Sequence, residues 1–202
     1  MEKGDLVLSK EKLRNKYLDI RKGFSKEKVN TVSKKIFETF IVLPYIKRDL
    51  SFLIYYSFRN EIITTKIIRE LLERKKDVYL PYIRDDKKEL EIGQIENLKT
   101  DIKSGMWGIK EPLSRDNIPL SKIDIVVVPG LLFSRNGYRI GYGGGYYDKL
   151  LAKKDNNTIS IGLSFDDFLF DELPNDRYDL PVDIILTEKK IIYIRGDINE
   201  FI

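Results

Sequence analysis

A glycine-rich segment lying between a predicted strand and a predicted helix constrains this chain more than any other feature. Residues 137–148 read Gly-Tyr-Arg-Ile-Gly-Tyr-Gly-Gly-Gly-Tyr-Tyr-Asp and hold five of the 13 glycines. The largely apolar run 123–130 predicts a buried strand before the segment, and 146–154 predict a helix after it. Glycines allow backbone N–H groups to converge on an oxyanion, and a helix N-terminus adds about half a positive charge. The segment is therefore predicted to bind an anion, with a glycine-rich surface loop as the alternative.

The glycine spacing matches neither of two common phosphate-binding motifs. A P-loop requires Gly-Lys-Ser/Thr, which the chain lacks. The Rossmann fingerprint is also absent, because Gly141, Gly143 and Gly145 are spaced Gly-x-Gly-x-Gly and residues 131–139 separate them from the strand. Arg139 can pair bidentately with a phosphate. Asp148 can hold a hard cation such as magnesium, or it can be an ordinary carboxylate favoured by the helix dipole.

The chain contains no histidine and no cysteine. This excludes disulfides, thiolate catalysis, serine–histidine chemistry and cysteine-ligated metals. Catalysis would have to use carboxylates, lysine, arginine, tyrosine, backbone donors or a carboxylate-bound metal. That set suits phosphoryl transfer, in which positioning and charge neutralisation dominate.

Alternating strand and helix patterns predict the fold class. Ser9 and Ser25 can cap two N-terminal helices, the first ending at Gly23 and the second at 43–44. Further helices are predicted at 62–76 and 146–154, and strands at 51–56, 77–83, 90–95, 123–128, 158–163, 183–187 and 191–195. We expect one α/β domain over residues 1–202, with helices flanking a mainly parallel central sheet that has some antiparallel edges. It would be Rossmann-like without the dinucleotide fingerprint, with ligands beyond the carboxyl ends of the strands.

Net charge and hydropathy limit the partners and the cellular location that we expect. The net charge is +4, and the lysine pairs are scattered along the chain, which favours small anionic molecules over nucleic acid. The alternative is a non-catalytic protein that binds single strands, since the pI is about 9.0 and 12 tyrosines could stack on bases. Because no apolar run approaches the ~20 residues of a membrane span, we expect no membrane partner and a cytoplasmic location. We also expect a monomer. The 34% of charged residues and two methionines are typical of heat-adapted proteins.

Four segments in order along the chain carry a family resemblance. They are Lys10-x-x-Leu13-Arg14, Gly108-Ile-Lys-Glu-Pro112, Val128-Pro-Gly-Leu-Leu-Phe133 with the glycine-rich segment 137–148, and Leu173-Pro174 to Asp179 with Val182-Asp183. Together they resemble the 5-formyltetrahydrofolate cyclo-ligase family, also called methenyltetrahydrofolate synthetases. The resemblance implies a magnesium- and ATP-dependent enzyme that converts 5-formyltetrahydrofolate to 5,10-methenyltetrahydrofolate and releases ADP and phosphate.

The resemblance also implies a role for individual residues. Arg139 would be catalytic, Asp148 and Asp179 would bind magnesium, and Lys10 and Arg14 would reach the nucleotide phosphates. The remaining ATP-binding residues would be Arg139, Gly141, Tyr142, Gly143, Gly144, Gly145, Tyr146 and Tyr147. Folate would be bound by Tyr56, Glu61, Trp107, Tyr146 and Tyr147.

Several of these residues have structural alternatives. Asp179 could be a loop residue before Pro181, the single tryptophan Trp107 could belong to the core, and Tyr146 and Tyr147 could pack under the sheet. Lys10 and Arg14 could face solvent. A sugar-phosphate or acyl-transfer enzyme that needs no ATP is a further functional alternative.

Overall fold

The computed structural model describes residues 9–84 and 87–196. Within these residues the helices are α1 (Lys10–Lys22), α2 (Lys26–Phe40), α3 (Pro44–Lys47), α4 (Thr65–Glu73) and α5 (Tyr146–Leu151). The strands are β1 (Phe52–Ile54), β2 (Val78–Arg84), β3 (Glu89–Ile95), β4 (Ile102–Ser104), β5 (Lys110–Pro112), β6 (Ile125–Val128), β7 (Leu132–Ser134), β8 (Arg139–Ile140), β9 (Ile159–Leu163), β10 (Leu169–Phe170), β11 (Ile184–Leu186) and β12 (Ile191–Tyr193).

A seven-stranded sheet forms the centre of the molecule, with strand order β12-β11-β9-β6-β1-β2-β3. The pairs β11–β9, β9–β6, β6–β1 and β1–β2 are parallel, whereas β12 and β3 pair antiparallel at the two edges. Parallel strands are buried on both faces, and all four residues of β6 are buried. The predicted fold class, with a mainly parallel sheet and antiparallel edges, is confirmed.

Two hydrophobic clusters cover the two faces of this sheet. Ile125 and Val127 pack into the cluster that contains the apolar faces of α1, α2 and α4. Val126 and Val128 point to the opposite face, where Leu150 and Leu151 of α5 pack. The alternation follows from the two-residue period of a strand, which turns successive side chains to opposite faces.

The first two helices begin where their capping residues predict. Ser9 Oγ accepts a hydrogen bond from the N–H of Lys12 at 3.3 Å, and Ser25 Oγ accepts one from the N–H of Lys28 at 3.1 Å. The predicted end of α1 at Gly23 is confirmed. Ile20 follows Leu13 and Tyr17 at helical spacing, but it is 42% exposed, so the helical spacing alone predicts its burial wrongly.

Other boundaries and several short elements differ from the sequence prediction. Helix α4 begins at Thr65 instead of 62, and α5 ends at Leu151 instead of 154. The hairpin β7–β8 occupies the segment 131–140, which had been predicted only as a connection, and its turn uses Gly137 at φ 92°. The four-residue helix α3 and the strands β4, β5, β7, β8 and β10, of two or three residues each, were not predicted, because such short segments show no clear period. Residues 85–86, in the predicted turn 84–88, lie outside the described residues.

Candidate active site

A cleft of about 1020 Å³ opens beyond the carboxyl ends of β1, β2 and β6. This is the edge at which α/β sheets bind ligands. Every site residue predicted from the sequence lines this cleft: Lys10, Arg14, Tyr56, Glu61, Trp107, Arg139, Gly141, Tyr142, Gly143, Gly144, Gly145, Tyr146, Tyr147, Asp148 and Asp179. The tertiary structure therefore brings residues from all parts of the chain into one volume.

The glycine loop, residues 141–145, lies over the side chain of Arg14. Arg14 Nε donates a hydrogen bond to the carbonyl oxygen of Gly141 at 2.8 Å. Gly143 has φ 98°, and a Cβ at this position would lie 3.3 Å from the Arg14 guanidinium carbon. Gly145 has φ 65° at the start of α5. Among the described residues, no backbone carbonyl accepts from the N–H groups of 142–145, so these donors are open to a ligand.

Arg139 and Asp148 form a largely buried ion pair on one wall of the cleft. Arg139 Nη2 donates to Asp148 Oδ1 at 2.8 Å, and Nη1 donates to the carbonyl oxygen of Leu180 at 2.7 Å. Burial lowers the pKa of Arg139, and the Asp148 carboxylate acts against that shift. An arginine has five N–H donors, so Arg139 can also donate to a ligand while holding Asp148.

Lys10 contacts the second predicted metal ligand instead of standing free. Its Nζ pairs with Asp179 and, at 2.7 Å, with Asp176. Partial burial acts to lower the pKa of Lys10, but the hydrogen bonds to Asp176 and Asp179 raise it. This ion pair connects the start of α1 to the loop at 173–179. The alternative that Lys10 faces solvent is therefore wrong.

The donor set in the cleft fits a magnesium ion that shares its shell with phosphate. Magnesium needs only one or two carboxylates when phosphate oxygens and waters complete its octahedron. Asp148 and Asp179 are two such carboxylates. No group of three or more potential metal ligands lies together in residues 9–84 and 87–196.

Glu61 is buried in the cleft and accepts hydrogen bonds from two donors. Its Oε2 accepts from the N–H of Phe58 at 2.9 Å, and its Oε1 accepts from the hydroxyl of Tyr142 at 2.9 Å. Burial raises the pKa of Glu61, whereas the Phe58 N–H and the Arg21 charge act to lower it. Burial and the Glu61 carboxylate together raise the pKa of Tyr142 to about 12.

Arg21 belongs to this group and was missed by the sequence analysis. It is 4% exposed, donates through Nη2 to the hydroxyl of Tyr142, and lies over the Tyr142 ring with its guanidinium carbon 5.4 Å from the centroid. Lys10, Arg14 and Arg21 lie one and then about two helical turns apart on α1, on the face towards the cleft. Extending the helical spacing of Lys10 and Arg14 would have found Arg21.

The aromatic residues of the cleft differ in exposure. Trp107 is 63% exposed and has φ 55°, so the alternative that it belongs to the core is wrong. Tyr56 and Tyr146 are partly buried. The Tyr147 hydroxyl is buried and has no hydrogen-bond partner within the described residues. Burial, reinforced by the Glu61 carboxylate, raises the pKa of Tyr147 well above its ordinary value.

The fold and the cleft together define a class of protein. Open loop amides, an Arg–Asp pair and a buried carboxylate meet beyond the carboxyl ends of parallel strands, which is the arrangement of α/β enzymes that act on small anionic molecules. No helix in the described part of the chain is long and apolar enough to span a bilayer.

Comparison with known proteins specifies the family. Residues 7–188 match the model of the 5-formyltetrahydrofolate cyclo-ligase family. The 5-formyltetrahydrofolate cyclo-ligase of Haemophilus influenzae is 34% identical over 137 residues, which are 66% of this chain and 73% of that protein. The Escherichia coli K12 protein of the same name is 26% identical over 85% of this chain and 96% of its own. The chain belongs to the 5-formyltetrahydrofolate cyclo-ligase family, a family of enzymes.

Solved structures agree with this placement. The 5,10-methenyltetrahydrofolate synthetase of Aquifex aeolicus superposes with a TM-score of 0.83 at 30% identity, covering 94% of both chains. The synthetase of Mycoplasma pneumoniae has the same fold, with a TM-score of 0.73 at 20% identity over 90% of this chain and 99% of that one. The resemblance inferred from the sequence motifs is confirmed, and the non-catalytic alternative is wrong.

Proposed function

We propose that the cleft binds ATP and 5-formyltetrahydrofolate together and closes the folate ring with release of ADP and phosphate. The observation that carries this proposal is that one volume contains both an anion-binding loop and a buried carboxylate. The loop is 141–145, and the carboxylate is Glu61, joined to the loop through Tyr142. A phosphate donor and its acceptor could therefore meet without crossing solvent.

The nucleotide phosphates would be bound at the glycine loop. The open N–H groups of 142–145 and the Arg14 side chain beneath them present positive charge to an anion. Arg139, fixed by Asp148 and the Leu180 carbonyl, would direct its remaining donors at the transferring phosphoryl group. A donor that is held in place before the reaction stabilises developing charge without a reorganisation cost.

The folate would be bound at the side of Glu61 and Trp107. An ionised Glu61 can accept hydrogen bonds from the amino-bearing pterin ring, because each carboxylate oxygen accepts more than one. Trp107 exposes its ring at the mouth of the cleft, where it can stack on the pterin or on the benzoyl ring. Tyr56 and Tyr146 would form walls of the same pocket.

The proposed chemistry follows from the poor leaving ability of an amide-like oxygen. The formyl oxygen attacks the γ-phosphorus of ATP, and the bond to the ADP oxygen breaks. N10 of the folate then attacks the formyl carbon, gives its proton to solvent, and the carbon–oxygen bond to phosphate breaks. Arg139 and the loop amides stabilise the charge that develops in the first step, and no histidine is required.

Asp148 and Asp179 would hold the magnesium ion of the nucleotide. When bound, the ion would neutralise charge on the phosphate oxygens. Asp179 pairs with Lys10 in the structure. If Asp179 bound the metal instead, Lys10 would keep its ion pair with Asp176 or would bind a phosphate.

The deciding experiment measures the near-ultraviolet absorbance of the methenyl product. Purified protein is mixed with 5-formyltetrahydrofolate and magnesium ATP at moderate and high temperature, and each component is omitted in turn. We expect product only in the complete mixture. Product without ATP would refute the ATP-dependent mechanism and favour the ATP-independent alternative. No product at any temperature, from folded protein that binds ATP, would refute the proposed acceptor.

A further inference from the structure

Tyr142 connects the two halves of the cleft. It is part of the glycine loop, yet its hydroxyl donates to Glu61 Oε1 at 2.9 Å and accepts from Arg21. We infer that Tyr142 is a positioning residue through which folate bound at Glu61 and nucleotide bound at the glycine loop increase each other's affinity. This inference rests on the proposed function, because it concerns the same two ligands.

The three residues come from three separate parts of the chain. Arg21 is in α1, Glu61 is in the loop between β1 and α4, and Tyr142 is in the glycine loop. Arg21 and Glu61 are 4% and 7% exposed, whereas Tyr142 is 51% exposed. Two buried and therefore well-fixed groups thus hold the end of a side chain whose backbone lies on an open loop.

The loop has few other contacts that hold it. Arg14 binds the carbonyl of Gly141 at its start, and the backbone of 142–145 makes no hydrogen bond through its N–H groups within the described residues. Glycines at 143, 144 and 145 give this stretch more conformational freedom than other residues would. Apart from the packing of Arg14 beneath Gly143, the Tyr142 hydroxyl makes the side-chain hydrogen bonds that hold the middle of the loop.

Coupling follows from the cost of ordering the loop. A pterin that donates hydrogen bonds to Glu61 keeps this carboxylate ionised, and an ionised acceptor forms a stronger hydrogen bond with the Tyr142 hydroxyl. The loop is then already ordered when nucleotide binds, so less conformational entropy is lost. By linkage, nucleotide must raise folate affinity by the same factor.

The charged and titratable groups around Glu61 support this direction. Arg21 and Arg59 favour the ionised carboxylate, as do the N–H of Phe58 and the hydroxyl of Tyr142. The other groups that interact with it are the hydroxyls of Tyr55 and Tyr147. Within residues 9–84 and 87–196, the main groups that shift the pKa of Glu61 include no second carboxylate.

The test is a titration of the full-length protein with the β,γ-imido analogue of ATP, which cannot transfer its phosphoryl group. The Kd is measured by calorimetry with and without saturating 5-formyltetrahydrofolate. In the unsubstituted protein we expect folate to tighten analogue binding about 10-fold. Tyr142→Phe keeps the ring over Arg21 but removes the hydroxyl. In this variant we expect the ratio of the Kd without folate to the Kd with folate to fall to about 1, while both ligands still bind.

Tyr178→Phe is the matched control. Tyr178 is also exposed and lines the same cleft. The Arg177 guanidinium lies over its ring and donates to its hydroxyl, and no hydrogen bond joins it to Glu61 within the described residues. We expect its ratio to equal that of the unsubstituted protein. The inference is overturned if Tyr142→Phe keeps the full ratio, or if the unsubstituted protein binds both ligands with no coupling. If the unsubstituted protein binds neither ligand, the proposed function fails as well.

Discussion

Polar side chains at the amino ends of the parallel strands serve a different purpose from those at the carboxyl ends. At the amino ends of the parallel strands, Asp124 Oδ2 accepts from the N–H and the Oγ of Ser51 at 2.8 and 2.7 Å. Asp183 Oδ2 accepts from the N–H and the Oγ of Ser160 at 2.7 and 2.6 Å. These carboxylates satisfy donors at the starts of neighbouring strands, so they stabilise the sheet.

At the carboxyl ends, polar groups keep unused hydrogen-bonding capacity. The Tyr147 hydroxyl is buried without a partner among the described residues, and the N–H groups of 142–145 are open. Trp107 exposes its ring in a left-handed backbone conformation. The Tyr45 hydroxyl is also buried without a partner in the described part of the chain, so one unsatisfied group does not by itself mark a ligand site. The carboxyl ends differ because open amides, a buried hydroxyl and an exposed tryptophan line one cleft. The comparison teaches that the partners of a buried carboxylate distinguish a stabilising role from a functional one.

The largest effect is expected for Asp148→Asn at the carboxyl edge. The variant is isosteric and keeps a hydrogen-bond acceptor for Arg139, but it removes the negative charge of a proposed magnesium ligand. We expect kcat/KM to fall by about 100-fold or more, with the circular dichroism spectrum unchanged. Asp124→Asn makes the same chemical change at the amino edge and serves as the control. Comparable turnover in the two variants would remove the distinction between the edges.

For Asp124→Ala we expect a lower free energy of unfolding and an unchanged catalytic rate. The substitution leaves the N–H of Ser51 without its acceptor at the start of β1, while Ser51 Oγ keeps only the carbonyl oxygen of Lys122. We expect the free energy of unfolding to fall by about 2 kcal/mol, measured by urea denaturation, while kcat per folded molecule is unchanged. A large fall in kcat would show that the amino edge also contributes to the active site.

A smaller effect is expected for Trp107→Ala. Because Trp107 is 63% exposed, its removal should leave the unfolding temperature nearly unchanged. Loss of aromatic stacking on the folate should raise KM for 5-formyltetrahydrofolate by about 10-fold, equivalent to about 1.4 kcal/mol. Trp107→Phe should recover part of the affinity. An unchanged KM in both variants would place the folate elsewhere in the cleft.

The smallest effect is expected from pH, through Glu61. Burial holds the pKa of Glu61 above its ordinary value of 4.5. As pH falls through this raised pKa the carboxylate is protonated, so folate affinity should fall at a higher pH than an exposed glutamate would produce. The free energy of unfolding should respond in the opposite direction and rise as pH falls. The reason is that Glu61 has a higher pKa in the folded state than in the unfolded state, so proton binding favours the folded state. Calorimetric Kd values for folate across this range should lose that pH dependence in Glu61→Gln.

Patterns that are local in the chain account for what the sequence could predict. The capping serines Ser9 and Ser25 indicated where the two long N-terminal helices begin, and the helical spacing of apolar residues extends over many residues there. Apolar runs indicated the central strands. The hairpin β7–β8 was missed because its strands have three and two residues. The site residues were found through the glycine-rich segment and the family motifs, which need no tertiary information.

The sequence by itself determined the α/β class, the family and many of the residues that line the cleft. Only the tertiary structure decided which of those residues contact one another. Lys10 pairs with Asp179, Arg139 is fixed by Asp148 and Leu180, and Arg21 meets Glu61 through Tyr142. Most of these partners are distant in the chain, and no local propensity or spacing records such contacts. They form because the parallel strands end at one edge of the sheet and deliver their loops to the same cleft.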